Sequence, residues 1–118
     1  MQQGIVVSLG SVNADFQVRV DRRPDLSETL MAQDFLKLSG GKAANVAYLA
    51  RKLDVDALLV ARVGDDALAE QALHPLQDMG IDLRYVHAVA GKPTGVSMIT
   101  VPPDGKKGIV LAGNANIE

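Results

Sequence analysis

Ser39-Gly40-Gly41-Lys42-Ala43-Ala44-Asn45 sets a bare glycine pair directly before an alanine-rich segment. From Lys42 to Leu53 the apolar residues Ala43, Val46, Ala47, Ala50 and Leu53 recur three or four positions apart, which places them along one face of a helix. Two residues without side chains at a helix start let a ligand approach the backbone and the unpaired N–H groups of the first turn. Such a site suits a polyhydroxylated or anionic small molecule. Upstream, Ile5-Val6-Val7-Ser8-Leu9 is an apolar, β-branched run ended by Gly10, the pattern of a strand covered on both faces and central in a parallel sheet. Asn13-Ala14-Asp15 follows it as a second polar cluster, so two polar loops are available to converge on one ligand.

Downstream, Ala57–Val63 reads as another apolar strand. Gly64-Asp65-Asp66 is a loop, and a helix is predicted from Ala67 to Met79 with Gly80 as its stop. Pro75 falls inside that helix, where it removes a donor and clashes one turn back at a cost of roughly 3 kcal/mol, so a kink is expected near Gln71–Pro75. Phe16–Val20 alternates apolar and polar residues, as a strand with one wet face does. Strands are also read at Arg84–Val89, Gly95–Val101 and Gly108–Leu111, the last two joined as a hairpin by Pro102-Pro103-Asp104-Gly105. Strand, helix, strand, helix in this order signals an α/β fold.

The chain has 118 residues, 47% of them hydrophobic, which suits one folded domain rather than a disordered segment. A net charge of -2 and 3% aromatic content supply neither a basic patch for phosphates nor stacking platforms for bases, so no nucleic-acid partner is expected. No cysteine is present, which removes disulfides and thiolate metal sites and fits a cytoplasmic setting. Ile5–Leu9 is too short to span a bilayer, and Met1-Gln2-Gln3 lacks the charged start of a secretory leader, so no membrane partner is expected.

Two nucleotide motifs are tested and fail. A P-loop needs a glycine five positions before the Gly of its Gly-Lys pair and Ser or Thr after the lysine; here those positions hold Leu36 and Ala43. Gly10-Ser11-Val12-Asn13 does not give the G-x-G-x-x-G of a dinucleotide fold.

In order and spacing, Leu9–Asp15, Gly40–Asn45, Gly64-Asp65-Asp66, Thr94-Gly95-Val96 and Ala112–Asn116 resemble the N-terminal part of ribokinase-like (PfkB) carbohydrate kinases. The resemblance covers nearly the whole chain. It implies the N-terminal part of a three-layer α/β/α fold with a small β-sheet lid, residues 1–118 forming the substrate-binding part of one domain and lid segments lying at about 16–38 and 84–111. Within the latter, Leu30–Leu38 and Tyr85–Val89 accompany Phe16–Val20 and Gly95–Leu111. It further implies that Asn13 and Asp15 bind sugar hydroxyls together with Gly40, Gly41, Lys42 and Asn45, while Val96 and Met98 touch the sugar's apolar side. A carboxylate accepts hydroxyl protons and an amide both donates and accepts, which suits a pentose or hexose.

The same resemblance implies ATP and Mg2+ for a longer parent, and homodimers or larger oligomers through lid strands or an exposed sheet edge. The family's glycine-rich anion hole and its catalytic Asp have no counterpart in this sequence, so no catalytic residue is assigned to the chain. The C-terminal ATP-binding part is read as absent, and the fragment alone is expected to bind no nucleotide and to turn over no sugar. Non-catalytic sugar binding or dimerisation is the alternative reading, as is a parent acting on a nucleoside or another alcohol. Plainer roles stay open for each residue: a post-strand turn for Asn13 and Asp15, helix packing for Gly40-Gly41, a solvated first-turn position for Lys42. Asp65-Asp66 is read as a helix cap rather than a metal site, no metal site is expected, and His74 and His87 are taken as structural or exposed.

Overall fold

In the computed structural model, which describes residues 4–118, the chain forms a three-stranded parallel sheet backed by two helices and a separate four-stranded sheet. The parallel sheet comprises β1 (Ile5–Leu9), β4 (Asp56–Gly64) and β5 (Asp82–Val89) in the order β1-β4-β5. The smaller sheet comprises β2 (Asn13–Arg19), β3 (Asp34–Gly40), β6 (Gly95–Val101) and β7 (Gly108–Ala112) in the order β3-β2-β6-β7. There β2 and β6 run parallel, and the outer pairs are antiparallel. The reading of Met1-Gln2-Gln3 lies outside the described residues.

Helix α1 (Lys42–Lys52) leads into β4, and α2 (Ala67–Asp78) joins β4 to β5. Both crossovers advance in the same direction across the sheet, so crossovers of one hand place both helices on the same face. The core shows this: Ala57, Leu59, Ala61 and Val63, alternate residues of β4, are buried with Ala43, Ala44, Ala47 and Ala50 of α1 and Ala72 and Leu76 of α2. Alanines on α1 let its axis lie close to the sheet, and the Ser8 hydroxyl donates to the Ala43 carbonyl at 2.7 Å across that contact. Pro75 does not interrupt α2, which runs continuously from Ala67 to Asp78.

Three expectations are corrected. Ile5–Leu9 is an edge strand among the described residues, not a central one: β4 is central, and Ile5, Val7 and Leu9 point away from the helices and are exposed. Tyr85–Val89 belongs to β5 and pairs with β4 in the parallel sheet, so it does not join the small sheet. Asn13-Ala14-Asp15 is not a loop but the start of β2, because Asn13 pairs with a glycine on either side, Gly40 of β3 and Gly95 of β6.

The hairpin of β6 and β7 forms as expected, with the Gly105 N–H donating to the Pro102 carbonyl at 2.9 Å in its turn. The radius of gyration is 15.9 Å, against about 13 Å for a compact domain near 100 residues. The excess reflects the small sheet, which projects from the body.

Candidate functional site

Strand alternation sorts the small sheet into two faces. Register puts Asn13, Asp15 and Gln17 of β2 beside Gly95, Ser97 and Ile99 of β6, and beside Gly40, Leu38 and Leu36 of β3. The other face carries Ala14, Phe16 and Val18 with Ser39, Lys37 and Phe35, and with Val96, Met98 and Thr100. Val96 and Met98 are thus on the face opposite Asn13 and Asp15, which corrects their assignment to one site. On β6, Ser97 and Ile99 share a face with Asp15, and both are buried.

Asp15 is the unusual group here. Its Oδ1 is buried and has no hydrogen-bond partner among the described residues. Burial pushes its carboxyl above the ordinary range, against the opposing pull of the Ser97 hydroxyl and the Lys107 charge. The carboxyl group lies over the Cα of Gly40, in the space that any side chain at that position would occupy. A side chain at position 40 would therefore displace the carboxyl from its place.

Gly41 is required for a different reason. Its φ is +100°, and a Cβ there would lie 2.5 Å from the Ser11 carbonyl oxygen and 2.8 Å from the Val12 Cα. This close approach lets Ser11 reach the helix start: the Lys42 N–H donates to Ser11 Oγ at 3.0 Å, and the Ala44 N–H donates to the Ser11 carbonyl at 3.2 Å. Two first-turn donors that the sequence offered to a ligand are occupied by the chain itself.

Asn13, 5% exposed, is fixed from far along the chain. Asn116 Nδ2 donates to Asn13 Oδ1 at 2.7 Å, and the Val12 N–H donates to Asn116 Oδ1 at 3.0 Å. Asn13 Oδ1 has accepted one donor, which leaves its amide NH2 and a second lone pair on the oxygen for a ligand. Asn45 is exposed on α1 and lines a cavity of about 310 Å³ with Leu38, Ser39, Tyr48 and Pro75. Leu38, the register partner of Asp15, borders that cavity. The Lys42 side chain is exposed at the first position of α1.

Asp66 caps α2, as expected. It accepts from the Ala69 N–H at 3.1 Å, and from the Thr94 N–H at 3.0 Å and hydroxyl at 2.6 Å. Burial raises its pKa, but these hydrogen bonds outweigh that and hold the carboxyl below its usual range. The same Thr94 hydroxyl accepts from the Gly64 N–H at 2.9 Å, tying the end of β4 to the strand that enters the small sheet. His74 lies 3.3 Å from Asp78 on the exposed side of α2, and His87 is exposed on β5.

Among the described residues no group of three His, Cys, Asp or Glu is placed to hold a metal ion, and no helix is long and apolar enough to cross a membrane. With Ser11 bonded to the Lys42 and Ala44 N–H groups, the first turn of α1 does not offer those two donors to a phosphate.

Sequence reasoning missed Ser11, Ser97 and Asn116 as members of this site. Ser97 is a lone serine in an apolar strand and carries no local signal, Ser11 lies between β1 and β2 and acts on the distant start of α1, and Asn116 acts across 103 positions.

The model of the pfkB family carbohydrate kinases matches residues 4–118. A ribokinase from Arabidopsis thaliana is 36% identical over 115 residues, which are 96% of this chain and 30% of that protein. An ATP-dependent ribose-1-phosphate kinase from Halopiger xanaduensis is 37% identical over 112 residues, 95% of this chain and 37% of that one. The structure of Arabidopsis thaliana ribokinase complexed with ribose and ATP superposes with a TM-score of 0.81 at 37% identity, covering 98% of this chain and 38% of that chain. The chain thus spans about a third of the length of these relatives. With a parallel αβ body, a projecting four-stranded sheet and a match along all its described residues, this chain belongs to the pfkB family of carbohydrate kinases.

Proposed function

We propose that this chain forms the sugar-binding wall and lid of an ATP-dependent sugar kinase. The observation that carries this reading is the Asp15 carboxylate: half-buried, with its Oδ1 buried and without a partner among the described residues, set over bare Gly40 and next to Asn13 on the same face. An unsatisfied buried acceptor costs about 1–3 kcal/mol, and a ligand hydroxyl donating to it recovers that cost. A polyol offers several hydroxyls in fixed relation, so one enters Asp15 while others meet the Asn13 amide, the backbone at Gly40 and Gly41, and the Lys42 and Asn45 side chains. The buried Ser97 and Ile99, not Val96 and Met98, are the β6 residues placed to meet the sugar.

Phosphoryl transfer needs a base for the acceptor hydroxyl, donors for the developing charge and a site for the nucleotide. This reading assigns all three to the two thirds of the relatives' length that the chain does not span, and ATP with its Mg2+ is bound there. The chain by itself then binds sugar without phosphorylating it. The setting consistent with its cysteine-free sequence is the cytoplasm. The face carrying Phe16, Phe35, Met98 and Val110 is assigned to a second copy of the chain, because it forms an open apolar groove of about 650 Å³ on the far side of the sheet from the sugar.

Calorimetric titration of the 118-residue chain with a panel of pentoses, hexoses and ribose 1-phosphate tests the sugar reading. Binding of one member, abolished in Asp15→Ala, is the expected result, with no ADP released when ATP is added. A panel in which no compound binds through Asp15 overturns the reading. Sugar-dependent ADP release lost in Asp15→Ala overturns the inactivity of the chain alone.

A further inference from the structure

The Asp15 carboxylate is half-dry, and few groups around it can keep it ionised. From β3 it is faced by Leu38 and Gly40, which carry no charge and no side-chain donor. From α2, Gln71 Nε2 donates to the Asp15 backbone carbonyl at 3.4 Å rather than to the carboxylate. Lys107, just before β7, contributes only a charge from an exposed segment. From β6 the residue in register is Ser97, 6% exposed and held on the adjacent strand. Neighbouring strands lie about 4.8 Å apart, which puts the side chains of two residues in register on one face within reach of each other.

We propose that Ser97 is a positioning residue for Asp15, a hydroxyl donor built into β6 that keeps the carboxylate anionic and oriented while its remaining acceptor sites stay open to a substrate hydroxyl. The inference rests on the sugar-binding reading of Asp15. Its chemistry is simple: a hydroxyl donates one proton, while an ionised carboxylate has about four acceptor sites. Ser97 therefore fills one and leaves the rest. Without that donor, burial favours the protonated acid, which is a poorer acceptor for a polyol. The direction of the Ser97 effect on the Asp15 carboxyl agrees with the geometry.

The test is an NMR titration of the Asp15 side-chain carboxyl in the whole 118-residue chain, comparing wild type, Ser97→Ala and Ser97→Thr. Ser97→Ala is expected to raise the midpoint by about one pH unit, and Ser97→Thr, which keeps the hydroxyl, to return it to the wild-type value. The acid limit of D-ribose binding should move with the midpoint. An unmoved midpoint in Ser97→Ala, or a threonine variant that behaves like the alanine variant, overturns the proposal. So does loss of the serine effect in a Lys107→Met background, because the charge would then be its source. If D-ribose fails to bind while the midpoint shifts as expected, the Ser97 assignment stands and the sugar reading fails. If ribose binds through Asp15 while the midpoint stays unmoved, the sugar reading stands and the Ser97 assignment fails.

Discussion

The two sheets of this molecule divide the labour between them. The parallel sheet buries one face under α1 and α2, and almost every residue in that contact is alanine, valine or leucine. The small sheet buries polar residues instead: Asn13, Thr94 and Ser97 stand at or beside the foot of its strands, and Asp15 lies among them with an acceptor unfilled. Stability is concentrated in the first sheet and chemistry in the second. The difference teaches where mutations should be felt, since apolar burial contributes about 25 cal/mol per Å² while an unpartnered polar group subtracts from stability and reserves itself for a ligand.

The largest effect is expected at the centre of the parallel sheet. Leu59 lies on the middle strand, fully buried between the helices and the sheet. Leu59→Ala removes its contacts and leaves a cavity, and should lower the unfolding free energy by about 3 kcal/mol, read as a reduced midpoint in urea. A loss below about 1 kcal/mol would place the core elsewhere and break the comparison.

The parallel sheet is also the part most legible in the sequence. The spacing of Ala43, Val46, Ala47, Ala50 and Leu53 marks α1, and the uninterrupted run at Ala57–Val63 marks β4, because long apolar patterns declare both period and burial. The helix cap at Asp66 and the hairpin turn at Pro102–Gly105 are legible as local chemistry. Tyr85–Val89 is not, since an edge strand with one wet face looks alike in either sheet and only pairing with β4 decides it. The site is half legible. Asn13, Asp15 and the glycine pair stand out as polar or bare residues flanking apolar runs, whereas the face that Val96, Ser97 and Met98 present depends on register with β2, which the alternation of β6 alone does not reveal. Gly40 and Gly41 illustrate the same limit: both are conspicuous in the sequence, but the carboxylate above one and the Ser11 backbone against the other are long-range facts.

At Asp15 the expected effect is smaller and opposite in sign. Its folded pKa is raised above the ordinary 3.8. The folded state therefore holds its proton to higher pH than the unfolded chain. The group's contribution is fully favourable below the unfolded value and is lost as pH rises through the folded one. At neutral pH the ionised side chain is a cost, so Asp15→Asn should stabilise the chain by about 1 kcal/mol at pH 7, a figure reduced for partial exposure, and by little near pH 3. Urea unfolding at both values checks it. A variant less stable at pH 7 would mean that the carboxylate is satisfied after all, and the contrast between the two sheets would lose its main support.

The smallest effect on stability, and the sharpest on assembly, is expected at Val110. It is 73% exposed on the face that carries Phe35 and Met98, and the parallel stack of Phe16 on Phe35, 6.0 Å between centroids, stiffens the floor of the groove beside it. Removing an exposed side chain from a monomer changes unfolding by no more than about 0.5 kcal/mol, so Val110→Ser should leave the urea midpoint at low protein concentration unchanged. A second copy seated on this face would bury Val110, and the same substitution would then weaken self-association in sedimentation equilibrium. A wild-type chain that stays monomeric, or one whose association ignores Val110, removes the second copy from this face. An effect on association with none on the monomer's stability would show that the small sheet uses its two faces differently, the polar one for a ligand and the aromatic one for another chain.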